Sequence, residues 1–228
     1  MSSRKAEKGS LLKRGGDKWQ PIKISELENF LISTLGHGVN VPNSRNLRKN
    51  LAYNLQYLEL QAQILGEIDL TSVLSTQTWK CFIVFTVSII EGVLYWLLLE
   101  RDKLGFREWE TVCKTESEAR APNKARILIR TEVLKVATTR VTNEVTFEAL
   151  RKHAEKYRVL GDSYREYVIL KELQRLRNRI HLHVGLEGET GTDFYKFNLH
   201  DFKKAKSILK SVFSALSPEA SKMLYFLN

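Results

Sequence analysis

The sequence predicts a mainly α-helical protein, an antiparallel helical bundle carrying a small β-hairpin or mixed insertion. Three observations predict it. Apolar residues recur at the three- and four-residue spacing of a helix through most of the chain. One segment, 81–99, is apolar on nearly every side, interrupted only by Thr86, Ser88, Glu91 and Gly92, and suits a central helix. One stretch, 106–146, abandons the helical period for alternation with many β-branched residues.

The elements follow in order. Residues 1–20 cluster Ser, Gly, Lys and Arg and are expected to form a basic mobile tail, leaving 21–228 as a single domain. Ser25 with Glu28 resembles a capping box for a short helix that carries Leu27, Phe30, Leu31 and Leu35 and stops at Gly36. A loop containing His37, a lone turn histidine with no catalytic company, leads to a helix starting at Asn43 or Ser44. Leu47, Leu51, Leu55, Leu58, Ala62 and Leu65 form its stripe, widened by Tyr53, Tyr57 and Leu60, and Gly66 ends it. A linker over 69–78 precedes the apolar helix, expected over 77–102. Within the insertion at 106–146, residues 109–115 and 125–136 alternate and Pro122-Asn123 marks a turn, which predicts a hairpin. A helix over 126–138 is the alternative, since Ile127, Arg130, Leu134 and Ala137 also match the helical period. Thr146 caps a helix bearing Phe147, Leu150, Ala154 and Tyr157, and Gly161 breaks it. A longer helix over 163–181 buries Tyr167, Leu170, Leu173, Leu176 and Ile180, and a loop follows at 185–191. Asn198 or Asp201 caps the final amphipathic helix, and Ser217-Pro218 starts one last short one.

Composition narrows the function classes. The chain has 228 residues, a net charge of +10 and a pI near 9.6, which favours polyanionic partners: RNA, DNA or an acidic protein. Two distant cysteines, Cys81 and Cys113, form no zinc spacing and fit a reducing, cytoplasmic setting. Residues 1–18 lack the apolar core of a signal peptide. The 81–99 segment is long enough to span a bilayer, but Glu91 near its middle would be costly there, so a buried bundle helix and no stable membrane insertion are expected. No zinc-finger or RNP signature, Walker-type phosphate loop or spaced carboxylate cluster is present, so no metal and no cofactor is expected.

The chemistry concentrates in 175–183, Arg-Leu-Arg-Asn-Arg-Ile-His-Leu-His. Guanidiniums grip phosphate oxygens in charge-assisted, bidentate hydrogen bonds. Imidazoles move protons near neutral pH. Structure alone explains part of the run, since cations suit a helix C-terminus. It explains the density of the run and Asn178 less well.

Arg177-Asn178 followed by His183, with five residues between Arg and His, resembles the signature of HEPN domains. The run 89–95, Ile-Ile-Glu-Gly-Val-Leu-Tyr, resembles that family's earlier core helix, which often carries an acidic residue. The resemblance covers about 79–104 and 162–216, and neither the N-terminal third nor 105–158. It implies a metal-independent endoribonuclease, of the kind found in toxin–antitoxin and anti-phage systems, in which an RNA 2′-hydroxyl attacks the adjacent phosphorus. His183 would then transfer a proton, Arg177 stabilise phosphate charge, Asn178 position either group, and Glu91 pair with Arg177. It also implies a homodimer with a composite site, and an antitoxin or regulatory protein as a further partner.

Two histidines compete for the role. Arg177 and His181, four apart, share a face if the helix continues. Arg177 and His183, six apart, meet only if it unwinds near His181. Arg175, two residues from Arg177, points about 200° away, so one of the two faces solvent. Arg175 and Arg179 are the candidate RNA-binding cations. A non-catalytic HEPN-like RNA- or nucleotide-binding module, and a helical protein-interaction factor, are the rival functions.

Overall fold

The computed structural model describes residues 19–104, 106–120, 125–142, 145–162, 164–179 and 197–228. The expected tail up to residue 18, the 185–191 loop, Ile180, His181 and His183 lie outside these residues. The elements are α1 (Ile24–Leu35), α2 (Ser44–Glu67), α3 (Ser72–Glu100), β1 (Phe106–Arg120), β2 (Arg126–Thr142), α4 (Phe147–Lys156), α5 (Tyr164–Asn178), α6 (Leu199–Leu216) and α7 (Ala220–Met223), closed by a 3₁₀ turn (Tyr225–Leu227). The chain is a helical bundle with an antiparallel two-stranded hairpin inserted between α3 and α4.

α3 is the axis of the bundle. It packs against α1, α2, α4, α5 and α6, and Phe82, Ile83, Val87, Ile89, Ile90, Val93, Leu94, Trp96 and Leu98 on it are fully buried. Each such side chain removed from water contributes roughly 2 kcal/mol. It is the one helix among the described residues long and apolar enough to cross a membrane, and 67% of its most apolar window is buried inside the fold. Phe82 meets Phe202 of α6 edge-to-face at 4.7 Å, and Phe85 meets Tyr57 of α2 in the same way at 4.7 Å.

Two glycines set the approach of neighbouring segments to α3. At Gly92 an added Cβ would stand 3.0 Å from Leu51 Cδ2, so α2 crosses α3 closely here. Gly38, with φ +72°, lets the α1–α2 loop lie on the Trp96 ring, where a Cβ would fall 2.4 Å from Cζ2. The Trp96 indole N–H donates to Leu35 O at 2.8 Å, satisfying its one polar atom.

Several boundaries differ from the sequence expectation, each for a local reason. α1 begins at Ile24, ahead of the expected Ser25 cap, and no side chain caps it. The preceding Ile22 is held instead by α2: its N–H donates to Glu59 Oε2 at 2.9 Å and its carbonyl accepts from Gln56 Nε2 at 2.8 Å. Glu59, almost wholly buried, also accepts from the Tyr225 hydroxyl, so one carboxylate ties both ends of the domain to α2. Asn43 adopts φ +52° and makes no side-chain cap, leaving Ser44 as the first residue of α2. Tyr53 and Leu60, expected to widen the buried stripe, are 51% and 36% exposed. The expected linker at 69–78 is helix from Ser72 onward, and the Ser75 and Thr78 hydroxyls donate to the carbonyls of Leu70 and Leu74. α3 ends at Glu100, where Lys103 N–H closes onto Leu98 O at 2.8 Å with Asp102 at φ +52°. Caps at Thr146 and Asn198 form as expected, accepting from Ala149 N at 3.3 Å and Asp201 N at 3.0 Å.

The described residues of the insertion form two paired antiparallel strands, and the alternative helix at 126–138 does not form. Strand pairing explains the residue pattern better than a helix, which would place Arg130 within an apolar stripe. In the sheet, Arg130 faces Glu116 at 2.7 Å and Lys114 faces Glu132 at 2.9 Å, while Lys135–Glu110 and Arg126–Glu118 close at 2.8 and 2.7 Å. Exposed pairs of this kind contribute only about 0.2–1 kcal/mol each. The strands pair with each other and make no extensive contact with any helix. Ile127, Leu128, Ile129, Val133, Leu134 and Val136 are consequently all more than 40% exposed.

The packing at Gly38 generates a stability prediction. Gly38→Ala adds a steric conflict with Trp96 to the strain of a positive φ, and should cost about 2–4 kcal/mol. Gly161→Ala, at φ +96° with nothing within 4 Å of the new methyl, should cost about 1–2 kcal/mol. Urea unfolding of the two variants measures the difference.

Candidate functional site

α5 acquires its rotation from its buried side. Tyr167, Leu170 and Leu173 are buried against the bundle. The Tyr167 hydroxyl donates to Ala154 O at 3.0 Å and accepts from Leu160 N at 3.2 Å, fixing α5 to the end of α4. Burial of the Tyr167 ring pushes its phenol above the ordinary range, so the hydroxyl stays protonated and keeps donating. Arg177 lies four residues after Leu173 and seven after Leu170, on the inward face by helical period.

There it meets α3. Arg177 NH2 lies 3.6 Å from Glu91 Oε2, and the two side chains are 33% and 28% exposed. The separation is within ion-pair range but longer than a tight charge-assisted hydrogen bond. The carboxylate therefore orients the guanidinium loosely. Burial pushes the Glu91 carboxyl above its ordinary value, and the Arg177 charge draws it back down. Gly92, the next residue on α3, faces α2 instead, where an added Cβ would stand 3.0 Å from Leu51 Cδ2.

The other predicted residues divide around this pair. Asn178 is exposed and lies about 100° around the helix from Arg177, so it does not join the Arg177–Glu91 contact. Arg175 is exposed and Arg179 half-buried, which resolves the two-residue ambiguity: Arg177 turns inward and Arg175 outward. α5 runs to Asn178, and the last part of the expected helix, 180–181, lies outside the described residues. Arg179 N–H bonds to Leu176 O at 3.1 Å, tightening the last turn to three residues. The spacing that would put Arg177 and His181 on one helical face needs α5 to run three residues further. His181 and His183 themselves lie outside the described residues.

Among the described residues, no group of three His, Cys, Asp or Glu side chains is placed to hold a metal ion. Tyr164, Lys171 and Arg175 are exposed on the outer side of α5, away from the Arg177–Glu91 pair. Comparison with protein-family models, with curated proteins and with solved structures returns no match for this chain.

The Glu91 environment makes stability depend on pH with a definite sign. The folded carboxyl titrates above its reference value of 4.5. Its contribution is therefore fully present below the unfolded value and is lost as pH rises through the folded one. Arg177→Ala removes the charge that limits this shift, so its stability should fall more steeply above pH 4.5 than that of the wild type. Glu91→Gln should abolish the extra slope in both backgrounds. Urea midpoints measured across acidic to neutral pH check both statements, and a slope unaffected by Glu91→Gln would contradict them.

Proposed function

We propose that the protein is a metal-independent endoribonuclease of HEPN type, cleaving RNA by 2′-hydroxyl attack. The observation that supports this reading best is the Arg177–Glu91 pair. A guanidinium lies between α3 and the end of α5 within ion-pair range of a half-buried carboxylate, immediately before a segment containing two histidines. A charge placed in advance and partly shielded from water stabilises developing phosphate charge more strongly than one free in solvent.

In this reading Arg177 binds the scissile phosphate, and Glu91 keeps its guanidinium aimed without consuming all five donors. His183 carries the proton to or from the reacting oxygens. The end of α5 at Asn178 favours His183 over His181, since a continuous helix was the geometric reason for preferring the latter. Asn178, exposed beside the turn, contacts RNA instead of positioning Arg177. Two copies contribute to one composite site, and the protein works in the cytoplasm under the control of an antitoxin or regulatory protein. A protein-interaction role also has a specific observation behind it: among the described residues the hairpin exposes eight large apolar side chains, Trp109 and Val112 on β1 and six on β2, with no extensive helix contact over them.

The test is cleavage of mixed cellular RNA in excess EDTA by wild type, Arg177→Lys, His181→Ala and His183→Ala proteins of matched thermal stability. His183→Ala should lose about 100-fold or more in rate. Arg177→Lys keeps a charge beside Glu91 but loses the planar fork, and should lose on the order of 100-fold. His181→Ala should stay within a few-fold of wild type, and the products should carry 2′,3′-cyclic phosphate ends. Intact RNA with every protein, or cleavage that EDTA abolishes, would refute the nuclease reading.

A further inference from the structure

The two strands of the hairpin end in different kinds of edge. β1 carries an extra residue, Val112, opposite the Val133–Leu134 step, and such a bulge twists an edge away from further pairing. β2 runs from Arg126 to Val136 without a skipped partner. Among the described residues the sheet has only these two strands, and no helix makes extensive contact with them. The regular edge of β2 is therefore open to a further strand. The sequence along it is symmetric in character about Thr131. Arg130 and Glu132 stand one residue to either side, Ile129 and Val133 two, and Leu128 and Leu134 three. The four apolar members of this set are exposed.

We propose that β2 pairs antiparallel with β2 of a second copy of this chain, about a two-fold axis through Thr131, to form a continuous four-stranded sheet. A two-fold contact is self-complementary, so each residue must suit the one that faces it. In this register Arg130 faces Glu132, Ile129 faces Val133 and Leu128 faces Leu134, each pair occurring twice. The charges also extend the ladder already present. Arg130 meets Glu116 of its own hairpin at 2.7 Å, and Glu132 meets Lys114 at 2.9 Å. One row of the sheet then reads Glu116, Arg130, Glu132 of the second copy and Lys114 of the second copy, alternating in sign at every step. Both central groups can serve two neighbours, since a guanidinium has five donors and a carboxylate two oxygens. Moving the axis one residue earlier sets Arg130 against Arg130, and one residue later sets Glu132 against Glu132. Like charges directly opposite destabilise a strand pair, so the charges select the register centred on Thr131. An isolated two-stranded ribbon is marginal, and two more strands remedy that. The inference goes beyond the nuclease reading and does not depend on it, because every residue it uses lies in the hairpin.

The experiment uses the full chain and combines analytical ultracentrifugation with register-specific cross-linking. Arg130→Glu sets acid against acid across the axis and Glu132→Arg sets base against base, so either variant alone should halve the mass of the wild-type assembly. An equimolar mixture of the two variants puts opposite charges at both positions again and should recover the wild-type mass. In a Cys113→Ser background, Thr131→Cys lies on the axis and should form a disulfide with its own copy under mild oxidation. Ile127→Cys would lie about 27 Å from its copy in this register and should not. Both positions are exposed, so accessibility alone does not produce that difference. The cross-link leaves every charge in place and therefore decides the matter even where a charge variant loses the hairpin. A wild type with the mass of one chain would overturn the pairing and leave the exposed edge to a different protein. So would a mass unchanged in both charge variants, which would put the contact between copies elsewhere, or cross-linking at 131 no stronger than at 127.

Discussion

Everything in this fold depends on a helix that has to be covered on all sides. α3 carries apolar residues around nearly its full circumference, so no single packing surface suffices, and α1, α2, α4, α5 and α6 each take a sector of it. A ring of helices around one axis is the economical solution, because each outer helix need bury only one stripe of its own. Close packing then makes the small residues on α3 decisive. Gly92 admits α2, and the Trp96 ring forms a floor for the loop at Gly38.

The same constraint creates the candidate site. Glu91 is the one charged residue between Lys80 and Glu100 of α3. An unpaired carboxylate at that depth would be costly, and Arg177 is the cation the structure places beside it. The burial of Tyr167, Leu170 and Leu173 sets the rotation of α5, and that rotation sends Arg177 inward and Arg175 outward. One helix thus presents cations in two environments: the Arg177 guanidinium is partly desolvated beside Glu91, while Arg175 is exposed on the opposite side.

The hairpin stands apart from that logic. Its cross-strand ion pairs compensate one another, and its apolar residues find no helix to cover them. Two-stranded ribbons are marginal on their own. The strands are long, 15 and 17 residues, and the ladder of paired charges specifies their register where no core does so.

Much of this was legible in the residues. The helical period located the buried faces of α1, α4, α5 and α6, since burial of an apolar stripe is a local property of spacing. Thr146 and Asn198 declared their helix starts because a cap is formed within a few residues. Glu91 and Arg177 could be paired in advance only through the resemblance to a family; no periodicity joins residues 86 positions apart. What the sequence could not decide were matters settled by distant neighbours. Ser25 lies inside α1 and does not cap it, because Glu59 and Gln56 of α2 hold Ile22 just before the helix. Strand or helix at 126–138 hung on whether Glu116 and Lys114 would be opposite Arg130 and Glu132. Which arginine faces inward was likewise undecided until α5 was docked. Local spacing determines what an element can bury, and only tertiary packing determines which way it is turned when it does.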